Sequence, residues 1–105
     1  MHKKKLDAVQ KQILRGRILT ICEKAQPYGA GLEMLDVKKK KEGFCYVMQD
    51  IRQACYYLEQ KGLISMTIVK NVVLKISRNI SMITARGIDF LEGSIEEEGI
   101  ALMEE

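Results

Sequence analysis

The chain is predicted to be an α+β domain: a three-helix core, then a two- or three-stranded antiparallel β-meander, then a short C-terminal helix. Three observations predict it. Apolar residues recur at spacings of three and four in separate stretches before residue 62. Residues 64–82 change to an alternation with period two. Gly43, Gly62, Gly93 and Pro27 stand where such elements need to stop.

The first helix covers about residues 6–24. Leu6, Val9, Ile13, Leu14, Ile18, Ile21 and Cys22 share its apolar side, with Lys11, Arg15 and Arg17 elsewhere. Gly16 costs about 1 kcal/mol relative to alanine in a helix interior. Either another backbone packs closely there or the glycine is simply tolerated. Gln26-Pro27-Tyr28-Gly29-Ala30-Gly31 ends the helix. A second helix is expected from Leu32 to Lys41, with Met34, Leu35 and Val37 inward. Lys38, Lys39, Lys40 and Lys41 form its last turn, where cations complement the helix dipole, before Gly43.

After the connection Phe44-Cys45-Tyr46, a third helix spans about 47–61. Ile51, Ala54, Cys55 and Leu58 make its apolar row, and Gln49, Arg52, Gln53, Tyr56 and Gln60 lie on or beside the other flank. Tyr57, near the apolar row, is expected to pack on the core with its hydroxyl reaching out. Gly62 occupies the left-handed position after the helix, and Leu63-Ile64 opens the β region.

Ile64, Met66, Ile68, Val72, Leu74, Ile76, Ile80 and Met82 are all even-numbered, so one parity can hold one face if the loops have odd length. Three-residue loops at Val69-Lys70-Asn71 and Ser77-Arg78-Asn79 satisfy this, giving strands at about 63–68, 72–76 and 80–84. Thr84 caps a fourth helix, about 85–92, closed by Gly93. Ser94-Ile95-Glu96-Glu97 has capping-box spacing and can start a short fifth helix. Met34, Met48, Met66 and Met82 read as core or its margin.

At 105 residues the chain is read as one domain, with residues 1–5 a mobile basic arm and 94–105 an acidic tail or short helix. Hydrophobic content of 47% against 30% charged is ordinary for a soluble protein. No run approaches the roughly 20 apolar residues of a membrane span. No secretory h-region follows the basic N-terminus, so a cytoplasmic protein with no membrane contact is expected. Cys22, Cys45 and Cys55 lack close pair spacing and read as reduced thiols; no metal or cofactor is expected.

Residues 1–62 hold 13 Lys or Arg against 7 Asp or Glu, and residues 63–105 hold 4 against 7. A basic front and an acidic end suit contact with phosphate by one part of the molecule. Catalysis finds little support: the sole histidine is His2, no nucleophile elbow or phosphate loop is present, and consecutive glutamates diverge around a helix. The chain is therefore read as a binding protein and not as an enzyme.

Two short helices joined by a tight turn, the second displaying polar side chains, follow the logic of a helix-turn-helix. The groove-facing set is then Gln49, Arg52, Gln53 and Tyr56, since glutamine pairs with adenine and arginine with guanine. Lys70, Lys75 and Arg78 in the β region and Lys38 and Lys39 at the end of helix two are candidate phosphate contacts.

The segment Tyr57-Leu58-Glu59-Gln60-Lys61-Gly62-Leu63-Ile64, followed by Ile83-Thr84-Ala85-Arg86-Gly87-Ile88-Asp89-Phe90-Leu91-Glu92-Gly93, resembles the winged-helix class of DNA-binding domains. The second segment looks like the wing-to-helix junction of many bacterial and phage regulators. Length and acidic finish are similar to small phage-associated winged-helix proteins, including those of Mu-like prophages. The resemblance implies a third helix that reads the major groove of double-stranded DNA and a wing that touches backbone or minor groove. It implies a small transcriptional regulator of a bacterium or prophage. One small reading head gives limited affinity, so a homodimer is expected, with the long amphipathic helix one and the otherwise unassigned residues after Gly93 as the dimer surface. The alternatives are a protein–protein interaction module on the same fold and a phage assembly factor without DNA binding.

Overall fold

A computed structural model of the chain describes residues 5–35 and 46–102. It is mixed α+β, with elements in the order α1 (Ala8–Lys24), β1 (Ala30–Gly31), α2 (Leu32–Leu35), α3 (Met48–Gln60), β2 (Ile64–Asn71), β3 (Ile76–Ile83) and α4 (Ala85–Leu91). The three strands form one antiparallel sheet in the order β1-β3-β2.

Local chemistry sets the helix ends. Asp7 caps α1: its carboxylate accepts from the Gln10 N–H at 2.8 Å while the Gln10 side chain accepts from the Asp7 N–H at 3.0 Å. At α3 the residue before the helix is Val47, which has no side-chain acceptor. Only the reciprocal bond forms, from the Val47 N–H to Asp50 Oδ2 at 2.9 Å. Gly62 has φ +76°, the left-handed geometry that lets the chain leave α3 and enter β2 at once. Thr84 caps α4 by accepting from the Gly87 N–H at 3.1 Å, and its own hydroxyl donates to the Gly62 carbonyl at 2.6 Å.

The core gathers Leu14, Ile18, Leu19 and Cys22 of α1, Leu35 of α2, and Ile51, Ala54, Cys55 and Leu58 of α3, then Leu63, Ile64, Ile83, Phe90 and Ile100. Each buried aliphatic side chain contributes on the order of 1.5–3 kcal/mol. The second helix departs from expectation within its described part: Leu35 is buried, but Met34 is exposed. Val37 and the rest of the expected helix lie outside the described residues.

The β region corrects the parity reading. There is no three-stranded meander in 63–84; β2 and β3 form a single long hairpin joined by residues 72–75. The expected loops 69–71 and 77–79 lie inside the strands and face each other, with Val69 opposite Arg78 and Lys70 opposite Ser77. The cause is local. Asn71 Oδ1 accepts from the Leu74 N–H at 3.0 Å, and Lys75 takes φ +55°, so the reversal closes over four residues.

An even loop pairs even residues of β2 with odd residues of β3. Ile64 and Met66 therefore share the core face with Ser81 and Ile83, while Ile80 and Met82 turn to the other face. The third strand of the sheet is instead the two-residue β1, Ala30 against Ser81 and Gly31 against Ile80.

The short fifth helix does not form among the described residues: residues 94–102 run as a strap over α1, α3 and α4. Ala101 N–H donates to the Gln12 carbonyl at 3.0 Å, and Arg15 Nη1 donates to the Gly99 carbonyl at 2.9 Å. These bonds satisfy backbone groups that a fifth helix would otherwise satisfy. At Gly16 a Cβ would collide with the Ala101 carbonyl oxygen, so this glycine marks a close backbone approach.

No helix among the described residues is long and apolar enough to cross a membrane.

Candidate nucleic-acid interface

Burial of Ile51, Ala54, Cys55 and Leu58 fixes the rotation of α3 and turns a second row outward. Gln49, Arg52, Gln53 and Tyr56 are all exposed. Their spacing of three, four and seven places them on neighbouring positions of one helix face. At 1.5 Å per residue the row is about 10 Å long, close to the rise of three base pairs. Tyr56 is 60% exposed, and its hydroxyl accepts from Gln60 Nε2 at 3.1 Å, which orients the ring along the helix. Sequence reasoning placed Gln60 beside this row without giving it that role.

Asp50, next to Gln49 in the chain, receives the Val47 N–H and sits in the first turn, where its charge offsets the positive helix end. Gln53 and Asp50 also border a small cavity of about 70 Å³ with Leu6, Lys11, Leu14, Arg15 and Ala54. That is well below the few hundred Å³ of a typical small-molecule pocket.

The other flank of α3 is closed. Tyr57 is half-buried, with the Arg15 guanidinium 3.7 Å above its ring, and Gly99 packs directly against its hydroxyl. Glu97 accepts from Arg86 Nη2 at 3.0 Å and lies 3.5 Å from Lys61 Nζ. Arg86 Nε donates in turn to the Lys61 carbonyl at 3.1 Å. The strap thus covers the Tyr57–Lys61 side and leaves the Gln49–Tyr56 row open. Sequence reasoning missed this role of Glu97; the only signal was its place among acidic residues downstream of a basic segment.

The hairpin bears the remaining described candidates. Every residue from Thr67 to Asn79 is exposed, so the outer part projects beyond the core. At about 3.3 Å per residue its eight-residue strands run roughly 26 Å. Lys70 and Arg78 sit within the paired strands and on opposite faces, not in loops, and Lys75 lies in the turn rather than on a strand face. Lys38 and Lys39 fall outside the described residues. The structure therefore gathers Gln49, Arg52, Gln53 and Tyr56 into one row and assigns Lys70, Lys75 and Arg78 to a separate projecting arm.

Two thiols face the core, Cys22 from α1 and Cys55 from α3. Cys22 and Cys55 are free and buried. Burial pushes the Cys22 thiol up to about 12, with the neighbouring Cys55 adding to it. Cys55 is also raised by burial, while a hydrogen bond with Ser81 pulls the other way. Both are held as neutral packing groups. Among the described residues no group of three or more His, Cys, Asp or Glu side chains is arranged to hold a metal ion.

Comparison with family models, with curated proteins and with solved structures gave no match.

Proposed function

We propose that this chain is a winged-helix protein that binds double-stranded DNA, with α3 in the major groove and the β2–β3 hairpin as the wing. Gln49, Arg52, Gln53 and Tyr56 read base edges, and Lys70, Lys75 and Arg78 meet phosphates. The observation that carries this reading is the selective cover on α3. The strap closes over Tyr57 and Lys61, yet the polar row on the adjacent flank stays open to solvent.

A single 13-residue reading helix offers few base contacts, so the regulator acts as a homodimer on two half-sites. Where helix one and the tail, the expected dimer surface, meet, Ala101 packs on Gly16 within the chain. Direct titration of the full chain with a random-sequence duplex tests the reading. Affinity should fall steeply between about 50 and 200 mM salt, with a log–log slope of about −0.9 for each phosphate contacted. Absence of duplex binding at the low-salt end contradicts it. A protein-docking module is the second reading, favoured by the exposed Val72, Val73 and Leu74.

A further inference from the structure

β2 is an outer strand of the sheet, and its edge away from β3 is open. The hydrogen-bond phase of the hairpin shows which groups face that edge. Thr84 N–H donates to the Leu63 carbonyl at 3.0 Å, so Leu63 and Thr84 form a bonded pair. Bonded pairs alternate along an antiparallel ladder, so Ser65, Thr67, Val69 and Asn71 turn their backbone groups to β3. Ile64, Met66, Ile68 and Lys70 turn theirs the other way. Ile64 is buried, but Met66, Ile68 and Lys70 are not, and no hydrogen bond within the chain takes up their N–H and C=O groups.

Sheets blunt such an edge with proline, a bulge or charge. β2 has no proline, and its register runs without a bulge from Ile64 to Asn71. Ile68 is 60% exposed and Val69 53%, on opposite faces. Lys70 is the one charged side chain in the strand.

The backbone row selects the class of partner. It presents a donor and an acceptor at every second residue, about 6.6 Å apart. Another extended peptide supplies both complements, whereas a phosphodiester chain offers acceptors alone. Charge then selects the kind of peptide. From Gln60 to Ile88 the sequence has no Asp or Glu. Glu97 engages Lys61 and Arg86, and Arg78 has an interaction of its own within the chain. Lys70 and Lys75 have no carboxylate partner among the described residues. A second copy of β2 would bring more lysine and no carboxylate, while an acidic strand brings the opposite charge.

We propose that the open edge of β2 docks an extended acidic segment of a partner protein, which joins the sheet as a further strand. Its backbone pairs with Met66, Ile68 and Lys70, its aliphatic side chains lie beside Ile68 and Val69, and its carboxylates face Lys70 and Lys75. This site needs no duplex. One consequence does rest on the DNA-binding reading: Lys70 and Lys75 are also the hairpin's phosphate contacts, so the docked segment competes with the duplex for them.

The test titrates the full chain with a blocked hexapeptide of two glutamates followed by valine, valine, threonine and valine. In the antiparallel register its second, fourth and sixth residues pair with Lys70, Ile68 and Met66. N-methylation of the fourth residue is expected to weaken binding about tenfold, and of the third, whose N–H points away, by less than about twofold. Amide exchange is expected to slow about tenfold at Met66, Ile68 and Lys70, and little at Thr67 and Val69, which already bond to β3. Lys70→Glu, at an exposed position, should bind the peptide about tenfold more weakly and regain affinity when lysines replace the two glutamates.

Absence of binding at millimolar peptide, or equal effects of the two N-methylations, overturns the docked strand. Protection of the same three amides on raising the concentration of the chain alone, with a dimer in sedimentation and no response to peptide, overturns it in favour of a second copy. A chain that binds the peptide but no duplex at low salt supports the docking site and contradicts the reading of α3. A chain that binds duplex and ignores the peptide does the reverse.

Discussion

The strap and the hairpin exchange the places that hydropathy assigns them. Residues 94–102 belong to the acidic end of the chain, yet Ile100 is 7% exposed and Glu97 is held between two cations. Residues 67–79 are rich in Ile, Val and Leu, yet all of them are exposed. The difference teaches that burial follows topology and register here, not local composition. The strap crosses α1 at a glycine, so a few apolar residues reach the core despite the glutamates around them. The hairpin runs past the end of the core, so its apolar residues stay exposed.

Removing what the strap contributes has the largest expected effect. Ile100→Ala deletes a buried side chain at the seam with α1, and urea denaturation should show a loss of about 2–5 kcal/mol. An unchanged midpoint would mean that the strap does not pack as described. Gly16→Ala comes next. Its new methyl meets the Ala101 carbonyl oxygen, so one backbone must shift, and the expected cost is about 1–3 kcal/mol. A stabilised Gly16→Ala protein, the usual result of replacing a helical glycine, would contradict that contact.

A pH scan probes the core beneath both regions. Burial raises the Cys22 thiol from 9.0 to about 12, so the folded state favours the protonated form more than the unfolded state does. That contribution is complete below pH 9.0 and is lost as the pH climbs through about 12. The thermal midpoint should fall over this window, and less steeply in Cys22→Ala. Equal slopes would place the alkaline loss elsewhere. The smallest effect belongs to the hairpin: Val73→Ser should change stability by no more than about 0.5 kcal/mol, since that side chain contacts little. A larger loss would show that the tip is covered in solution.

Much of the helical framework was legible in the sequence, because the signals that end helices are local. Thr84 and the left-handed Gly62 act within a few residues of where they stand; the Asp7–Gln10 box is as local, but the helix was expected to start at residue 6. The α3 row was legible for the same reason, since the buried positions of a 13-residue helix fix the orientation of the others. The sheet was not. Its register depended on whether the loops were odd or even, and one Asn71 side chain closing a four-residue turn moved Ile80 and Met82 to the other face. The strand Ala30–Gly31 is too short to carry an alternation. The course of the strap depends on contacts some 84 residues apart in the chain, such as Arg15 with Gly99, which no local pattern encodes.

Functional separation of helix and arm tests the central claim most directly. Arg52→Ala with Gln53→Ala, and separately Lys70→Ala with Arg78→Ala, are compared on two duplexes: one selected from a random pool by the wild-type chain, and one unselected. The helix variant should lose about 1–3 kcal/mol for each base contact removed on the selected duplex, and little on the other. The arm variant should weaken both duplexes alike, with a salt slope shallower by about 2. If the two double variants behave identically on both duplexes, α3 does not read the bases and the proposed division between helix and arm is wrong.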